Sequence, residues 1–336
     1  MYEHFINQNM KKIRWGILGT GTIAHKFAAD LKYVEGAELA AAGSRSPEKA
    51  ENFCRDFDIP FSFGSYQALA ESNLVDIIYI ATPHSLHHEN TLLCLDNDKA
   101  VLCEKPFALN AKQAAEMIDL SHLKKLFLMD ALWTKFLPHY QKMVEIVKSG
   151  ILGDIKVVLA NFGFKANPNP NSRLLNPELG GGSLMDIGIY NIFTALDVLG
   201  KPDEINVSIN SADQGVDEHC AVLFKYSNGA MASLFSSISV NLGTEVEICG
   251  TLGRLKLNTP FYEPSSTLEF IVDGEKTVIN IEKTSGFGYH FEARHATECL
   301  QNNLTESPIV THAGSLLLMQ TLDRIRNLSG IVFPGE

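Results

Sequence analysis

One short stretch near the start of the chain limits the possible folds more than any other. An apolar run over Ile13–Leu18 leads into Gly19-Thr20-Gly21-Thr22-Ile23-Ala24, after which apolar residues recur at helical spacing as far as Leu31. This order of strand, glycine turn and helix is typical of the first unit of a doubly wound parallel sheet that binds a dinucleotide. Gly19 permits the tight turn, and Gly21 lets a pyrophosphate approach the helix N-terminus. The predicted cofactor contacts in this stretch are Gly19, Thr20, Gly21, Thr22 and Ile23.

Apolar strands and helical patterns alternate through the first half of the chain, whereas strands dominate from Glu204 onward. The later strands predicted in the first half are Glu38–Ala42, Val75–Ala81, Ala100–Cys103 and Leu126–Ala131. The sequence therefore predicts an α/β protein with two domains. Residues 1–132 form an N-terminal doubly wound parallel sheet (Rossmann), and residues 133–336 form a C-terminal α+β domain on a large open, mostly antiparallel sheet. The C-terminal helix is free to pack back on the first domain.

The open sheet suggests how a second subunit could bind. Leu234 and Ile238 are apolar positions that alternate along a predicted strand of the second half. If helices cover one face of that sheet, an apolar second face must be covered by something else. We therefore expect a homodimer through the open face, with Leu234 and Ile238 at the interface.

Composition narrows the class of partner. The 336 residues include 28 basic and 39 acidic side chains, for a formal charge of −11, which argues against nucleic acid as a partner. Six cysteines are scattered without the paired spacing of a metal site, as expected for reduced intracellular thiols. Met1–Lys12 is polar and shows neither a signal peptide nor a long apolar run. These features predict a cytoplasmic protein with no membrane partner.

The end of the second predicted strand indicates which dinucleotide binds. A free ribose 2′-hydroxyl is usually held here by an acidic side chain, but the chain has Ser44 and Arg45 at this point. The planar guanidinium of Arg45 suits a 2′-phosphate. We therefore expect NADP rather than NAD. Ser46 also has a structural role as the cap of the next helix, with Pro47 in its first turn, and the two roles are compatible.

Three histidines follow the predicted strand that ends at Ala81. In the stretch Thr82–His88 they suggest a metal site, yet no cysteine or carboxylate completes a set of ligands with suitable spacing. We expect no metal there. The stretch instead predicts a loop over the ribose and nicotinamide of the cofactor. The candidate cofactor contacts are Thr82, Pro83, His84 and His87.

A second ligand-facing motif follows the strand Ala100–Cys103. The acid and base Glu104 and Lys105 stand at the carboxyl end of this strand, where open α/β sheets bind ligands. We expect both side chains at the cofactor, with Pro106 fixing the direction of the backbone. The alternative is an ordinary surface pair at a strand end.

Two residues of the second half could complete a catalytic group with Lys105. Asp186 and Tyr190 are four residues apart near the start of a predicted helix, so they share one face. Oxidation of a carbinol needs a group that takes the hydroxyl proton, and an ammonium beside a phenol stabilises the phenolate. Tyr190 is therefore the candidate proton carrier, Lys105 its electrostatic partner and Asp186 the orienting group. The simpler alternative is a helix N-terminal acid and a half-buried aromatic.

Several motifs, taken in order, resemble a known family over nearly the whole chain. Gly19–Ala24, Glu104-Lys105-Pro106 and Gly180–Gly188 are similar to motifs of the glucose-fructose oxidoreductase/inositol dehydrogenase (Gfo/Idh/MocA) family. Met129–Phe136 and Asp186–Tyr190 are most similar to its dimeric dihydrodiol dehydrogenase branch. The resemblance implies oxidation of trans-dihydrodiols of aromatics, or of D-xylose, with NADP.

The same resemblance implies roles for individual residues. Lys105, Asp186 and Tyr190 would be catalytic, with tyrosine at a position where most of the wider family has histidine. Asp186 would also contact the substrate, which would be a cyclic diol or a sugar. Aromatic walls of the substrate pocket are expected from Trp133, Phe164 and Phe287.

Three other functions stay open on the residues alone. The first is a sugar or inositol dehydrogenase of other specificity, or a cofactor-retaining oxidoreductase. The second is a non-catalytic NADP-sensing regulator, against which Lys105, Asp186 and Tyr190 argue because a sensor needs no proton carrier. The third is redox-assisted glycoside cleavage.

Overall fold

The computed structural model describes residues 11–167, 169, 172–281 and 284–334. The interpretation of Met1–Lys12 falls almost wholly outside these ranges. Among the described residues, none of the helices combines the length and the apolar character that a bilayer crossing requires. The six cysteines are unpaired, and five of them are buried.

The N-terminal sheet is parallel and has the strand order β3-β2-β1-β4-β5-β6. Its strands are β1 (Ile13–Leu18), β2 (Ala37–Gly43), β3 (Phe61–Phe63), β4 (Ile77–Ile80), β5 (Ala100–Glu104) and β6 (Leu128–Ala131). The helices between them are α1 (Thr22–Leu31), α2 (Pro47–Asp56), α3 (Tyr66–Ala70), α4 (His87–Asp96) and α5 (Ala111–Lys124). The central strands are buried because helices cover both faces, as their continuous apolar sequences require. The predicted parallel sheet is confirmed.

Side-chain caps fix where several of these helices begin. Ser46 accepts a hydrogen bond from the amide of Lys49 at the start of α2, and Asn110 accepts one from the amide of Gln113 at the start of α5. Each cap satisfies a main-chain donor that the helix leaves free. Residues 44–46 connect the carboxyl end of β2 to the capped start of α2, and they lie next to the groove described below.

The second sheet is mixed and mostly antiparallel, as predicted, with the strand order β14-β13-β12-β11-β7-β10-β9-β8. Its strands are β7 (Ile155–Gly163), β8 (Glu204–Ser211), β9 (Asp217–Lys225), β10 (Met231–Ser237), β11 (Val246–Gly250), β12 (Gly253–Leu257), β13 (Leu268–Val272) and β14 (Glu275–Ile279). One neighbouring pair, β7 and β10, is parallel. The remaining long helices are α6 (Pro138–Lys148), α7 (Ile189–Leu199), α8 (Tyr289–Gln301) and α9 (His312–Ser329).

The expected interface residues are placed differently from the prediction. Leu234 and Ile238 are 3% and 2% exposed, so they belong to the core of the subunit itself. The open face of the same sheet carries Leu159 and Met231, which are 40% and 39% exposed. The prediction of Leu234 and Ile238 as interface positions was wrong, because alternation along a strand separates two faces without showing which one the helices cover.

The last two helices pack on the first sheet and its helices. The Trp15 indole, on β1, donates to the hydroxyl of Thr297 on α8 at 3.2 Å. The carboxylate of Asp323 on α9 accepts the amide of Ala111, the first residue of α5, at 2.8 Å. The division of the chain at residue 132 stays a prediction.

Candidate active site

A groove follows the carboxyl ends of β1, β2, β4 and β5. It consists of two cavities of about 450 Å³ and about 330 Å³ that share Gly21, Ala81, Thr82 and Pro83. All of the residues predicted to contact the cofactor line one cavity or the other. They are Gly19, Thr20, Gly21, Thr22, Ile23, Ser44, Arg45, Thr82, Pro83, His84, His87, Glu104 and Lys105. The structure therefore brings these residues together, while their contact with a cofactor stays a prediction.

The glycine turn after β1 fits a pyrophosphate. Gly19 has φ +99°, and a Cβ there would lie 2.8 Å from the carbonyl oxygen of Ala81, so a larger residue would be strained. A Cβ on Gly21 would meet no atom within 4 Å, which shows that space lies open above this residue. Helix α1 begins directly after Gly21 and has no side-chain cap. Its first amides are therefore available to an anionic group.

The smaller cavity carries positive charge at its far end. Ser44, Arg45 and Ser46 line it together with Lys49 and Tyr66. Burial raises the pKa of Tyr66, and the nearby charge of Arg45 acts in the opposite direction. None of the described residues lining this cavity is acidic. Such a set of donors suits a phosphate better than a free ribose hydroxyl.

His84 links the groove to the second domain. Its Nδ1 lies 2.9 Å from the carbonyl oxygen of Gly180, so this nitrogen must carry the proton, and its Nε2 lies 3.5 Å from Nη1 of Arg173. Burial lowers the pKa of His84 to about 3. The ring is therefore neutral near pH 7 and serves as a fixed polar contact.

The other two histidines, His87 and His88, lie in the first turn of α4. His87 lies between the carbonyl oxygens of Pro106 and Thr82, at 2.7 and 2.9 Å, and joins the two loops that follow β4 and β5. Burial lowers its pKa to about 4. His88 lies on the surface beside Glu116, at 2.9 Å.

Lys105 lines the larger cavity, and Asp186 and Tyr190 contact its side chain. The Lys105 ammonium donates to the main-chain carbonyl of Asp186 at 2.7 Å and lies 3.5 Å from Oδ1 of the same residue. It also lies 5.2 Å from the centre of the Tyr190 ring. An amine from the first domain and a phenol from the second are thus neighbours, although they are far apart in sequence.

Asp186 is held in its ionised form. Nη1 of Arg173 donates to Oδ1 at 2.9 Å, and Nε2 of His84 lies 3.7 Å from the same oxygen. Burial alone would raise the pKa of Asp186, but the charges of Lys105 and Arg173 outweigh it and hold this pKa well below its usual range. Asp186 can therefore orient a cation or a substrate hydroxyl, but it cannot donate a proton near neutral pH.

A buried carboxyl group positions the start of the helix that carries these residues. Asp217 accepts hydrogen bonds from the Ser183 hydroxyl and the Leu184 amide, both at 2.7 Å. Gly182 has φ +109°, and a Cβ there would overlap Asp217. The turn after the glycine run is a π-helix over Leu184–Gly188 that continues into α7, whereas the sequence pattern predicted one regular helix. Wide turns of this kind are frequent at functional sites.

Glu104 and Lys105 do not form a surface pair. Glu104 is 5% exposed, accepts the amide of Lys105 at 3.1 Å and accepts the phenol of Tyr79. Burial raises the pKa of Glu104. This buried contact fixes the backbone from which the Lys105 side chain reaches into the groove.

Aromatic side chains surround the hydroxyl of Tyr190. The Trp133 indole donates to this oxygen at 2.9 Å and stacks on Tyr289 with ring centres 4.5 Å apart. Phe162 and Tyr262 lie 5.4 and 5.6 Å from the Tyr190 ring. Burial raises the pKa of Tyr190 well above its usual value, although the Trp133 hydrogen bond acts in the opposite direction.

The other two predicted wall residues are Phe164 and Phe287. Phe164 is half-buried one residue beyond the end of β7, and its amide donates to the carbonyl of Ser237 at 3.1 Å. Phe287 is 48% exposed, and the Lys26 ammonium lies 5.6 Å from its ring centre. Their roles in binding substrate stay predictions.

Several residues at the groove were not found from the sequence. Lys49 could have been found, because it lies in the first turn of the helix that Ser46 caps, next to Ser44 and Arg45 in the sequence. Arg173 lies in an aperiodic segment with no spacing to single it out. Phe162 and Tyr262 come from β7 and a late loop, and only the packing of the second sheet brings them to Tyr190.

Comparison with known proteins agrees with this arrangement. Residues 13–130 match the oxidoreductase family with the NAD-binding Rossmann fold, and residues 140–256 match the Gfo/Idh/MocA C-terminal domain. Trans-1,2-dihydrobenzene-1,2-diol dehydrogenase from Sus scrofa is 36% identical, and that from Homo sapiens is 35% identical. In both comparisons the match covers 96% of this chain and 99% of the relative.

Solved structures show the same architecture. The aldose-aldose oxidoreductase from Caulobacter crescentus, complexed with glycerol, has a TM-score of 0.88 at 26% identity, covering 95% of this chain and 98% of the other. A 3-ketoreductase from Actinomadura kijaniata in complex with NADP has a TM-score of 0.85 at 25% identity, with the same coverage. The chain is therefore an oxidoreductase with an NAD(P)-binding Rossmann domain, and it belongs to the Gfo/Idh/MocA family.

Proposed function

We propose that this protein is an NADP-dependent dehydrogenase that oxidises a secondary alcohol of a cyclic diol or an aldose, with Tyr190 as the acid/base. The observation that carries the proposal is the contact of Asp186 and Tyr190 with Lys105, which itself lines a groove suited to a dinucleotide. A regulator that only senses the cofactor would gain nothing from a buried phenol beside an ammonium.

The protein's own groups account for the proton transfer. When bound, the nicotinamide ring supplies the hydride acceptor for the carbinol hydrogen. The Tyr190 oxygen exchanges the hydroxyl proton of the substrate. Because burial raises the pKa of Tyr190, the phenol holds its proton at neutral pH and is suited to donate it to a carbonyl oxygen. In the oxidation direction, Lys105 and the Trp133 N–H group stabilise the phenolate that must form.

The preference for NADP is supported by the charge at the far end of the groove. Arg45 and Lys49 both line that cavity, and two cations beside Ser44 and Ser46 provide donors for a 2′-phosphate. An acidic residue that would repel this phosphate is not among the described lining residues.

The test is a panel of D-xylose, D-glucose, myo-inositol and a benzene dihydrodiol. Each compound is supplied with NADP and with NAD, and the absorbance of the reduced nicotinamide is followed. We expect reduction with NADP and at least one of these alcohols. A flat panel with both cofactors, in protein that binds NADP, would contradict the proposed activity and favour the sensing regulator.

A second candidate is a cofactor-retaining oxidoreductase, which the similarity to the aldose-aldose oxidoreductase favours. One sugar would then reduce the bound cofactor and a second would reoxidise it, so no net reduction would accumulate. Incubation with an aldose pair, followed by analysis of the sugars, separates the two functions. Oxidised and reduced sugar formed in equal amounts at constant nicotinamide absorbance identifies the second.

We further propose that the protein is a homodimer through the open face of the eight-stranded sheet. Leu159 and Met231 lie exposed on neighbouring strands of this face, and adjacent exposed apolar side chains can mark a protein contact. The double variant Leu159→Lys, Met231→Lys should give a monomer in multi-angle light scattering. A monomeric unmodified protein would contradict the proposal directly.

A further inference from the structure

Three side chains from distant parts of the sequence converge away from the groove. His122 lies in the last turn of α5, Glu306 lies between α8 and α9, and His312 is the first residue of α9. One ligand atom of each lies within 4.8 Å of the other two. The cluster is next to Leu128, at the amino end of β6, whereas the groove follows the carboxyl ends of the strands.

The hydrogen bonds of His312 leave one of its nitrogens facing the cluster with a lone pair. Nε2 of His312 lies 2.8 Å from the carbonyl oxygen of Leu128, which can only accept, so Nε2 carries the proton. Nδ1 is then unprotonated in the neutral ring, and it points at Nε2 of His122 from 3.0 Å. A histidine that donates one N–H group to a main-chain carbonyl and presents the other nitrogen is typical of metal ligands.

The distances also suit a metal. Two nitrogens bound to one tetrahedral zinc ion at about 2.05 Å would lie about 3.3 Å apart. The present separation of 3.0 Å differs from this by only a few tenths of an ångström, and the two rings would have to turn so that both lone pairs face the ion. The Glu306 carboxylate is already oriented, because it accepts the main-chain N–H group of His312. Two imidazoles and one carboxylate form a ligand set that zinc accepts.

We propose that His122, Glu306 and His312 form a binding site for Zn²⁺, with water as the fourth ligand. The ion would join the end of α5 to the start of α9 and to the segment before it. Its role would be structural, because the site lies at the opposite end of the sheet from Lys105 and Tyr190. No sequence pattern indicates this site, since His122 and His312 are 190 residues apart.

The test uses the full chain without an affinity tag, freed of metal by a chelator and then titrated with Zn²⁺ by calorimetry. We expect one equivalent to bind and the melting temperature to rise until that equivalent is reached. His122→Asn should weaken binding by more than about 100-fold, because loss of an outer-sphere partner alone weakens metal sites about 10- to 100-fold. Since His122 is exposed, this variant should fold normally.

His88→Asn is the matched control, because His88 forms an exposed pair with Glu116 that lacks a second imidazole. His88→Asn should bind Zn²⁺ as the unmodified protein does. Both His88→Asn and His122→Asn should keep the NADP affinity of the unmodified protein. His122→Cys should restore binding, since a thiolate is also a zinc ligand. Absence of binding in the unmodified chain, or equal weakening by His122→Asn and His88→Asn, would overturn the proposal. In either case the contact between His122 and His312 would be an ordinary hydrogen bond between two imidazoles.

Discussion

The two sides of the active-site groove are built in different ways. On the nucleotide side, contiguous motifs at the ends of β1, β2, β4 and β5 supply most of the lining residues. On the substrate side, Tyr190 is surrounded by residues that come from separate elements and are joined only by packing. Because the two sides share few elements, cofactor binding and catalysis should be separable by mutation. Variants on one side should alter cofactor affinity, and variants on the other should alter turnover.

Among the variants that test whether the two sides are separate, Tyr190→Phe should have the largest effect. Removing the phenol oxygen removes the proton carrier, and general acid/base groups contribute about 10²–10⁴-fold to rate. We expect turnover to fall by that factor while NADP binding, followed by fluorescence quenching, stays unchanged. Near-normal turnover would assign the acid/base role to another residue. A large loss of NADP affinity would instead show that the two sides are not separate.

A second effect concerns a buried carboxyl group behind the site. Asp130, at 1% exposure on β6, has its pKa raised to about 8 by burial, with the charge of Glu104 adding to the shift. Because the folded pKa exceeds the unfolded one, this group favours folding at low pH and that contribution is lost as the pH rises towards 8. Between pH 5 and 8, Asp130→Asn should gain stability relative to the unmodified protein by up to about 1.4 kcal/mol per pH unit.

Asp186→Asn is the natural control for this measurement. The pKa of Asp186 is lowered, so its contribution to stability is present above the unfolded pKa and is lost only when the pH falls below it. Its difference from the unmodified protein should therefore stay flat between pH 5 and 8. Urea unfolding across this range measures both variants. A flat difference for Asp130→Asn as well would mean that Asp130 is ionised in the folded protein.

The difference between the two sides of the groove also explains which parts of the fold and site could be predicted from the sequence. Strand β1 is predicted to the residue, because the apolar run and the glycine turn that ends it act locally. The π-helical turn before Tyr190 depends on the distant Asp217, and no local pattern indicates it. Arg173 and Tyr262 reach the site through tertiary packing alone. Local sequence patterns therefore predict the nucleotide side in detail. On the substrate side they predict only the central residues.

Arg45→Ala should produce a moderate effect confined to the nucleotide side. Hydrogen bonds to a charged group contribute about 1.5–3 kcal/mol, so the Michaelis constant for NADP should rise by about 10- to 100-fold. The constant for NAD should barely change, because NAD lacks the 2′-phosphate. Glu48→Ala, in the first turn of α2, serves as the control and should leave both constants nearly unchanged. An equal effect of Arg45→Ala on both cofactors would contradict the assignment of the phosphate to this cavity.

The smallest effect, from Trp133→Phe, would show how finely the substrate side is tuned. Phenylalanine keeps a ring to stack on Tyr289 but removes the N–H group that donates to Tyr190 at 2.9 Å. A net hydrogen bond contributes about 0.5–1.5 kcal/mol, so turnover in the oxidation direction should fall by about 2- to 10-fold. Because this bond lowers the pKa of the phenol, its loss should also move the alkaline pH dependence of turnover upward. A drop in turnover without that movement would mean that Trp133 acts on the substrate, through the shape of the pocket, and not on the proton carrier.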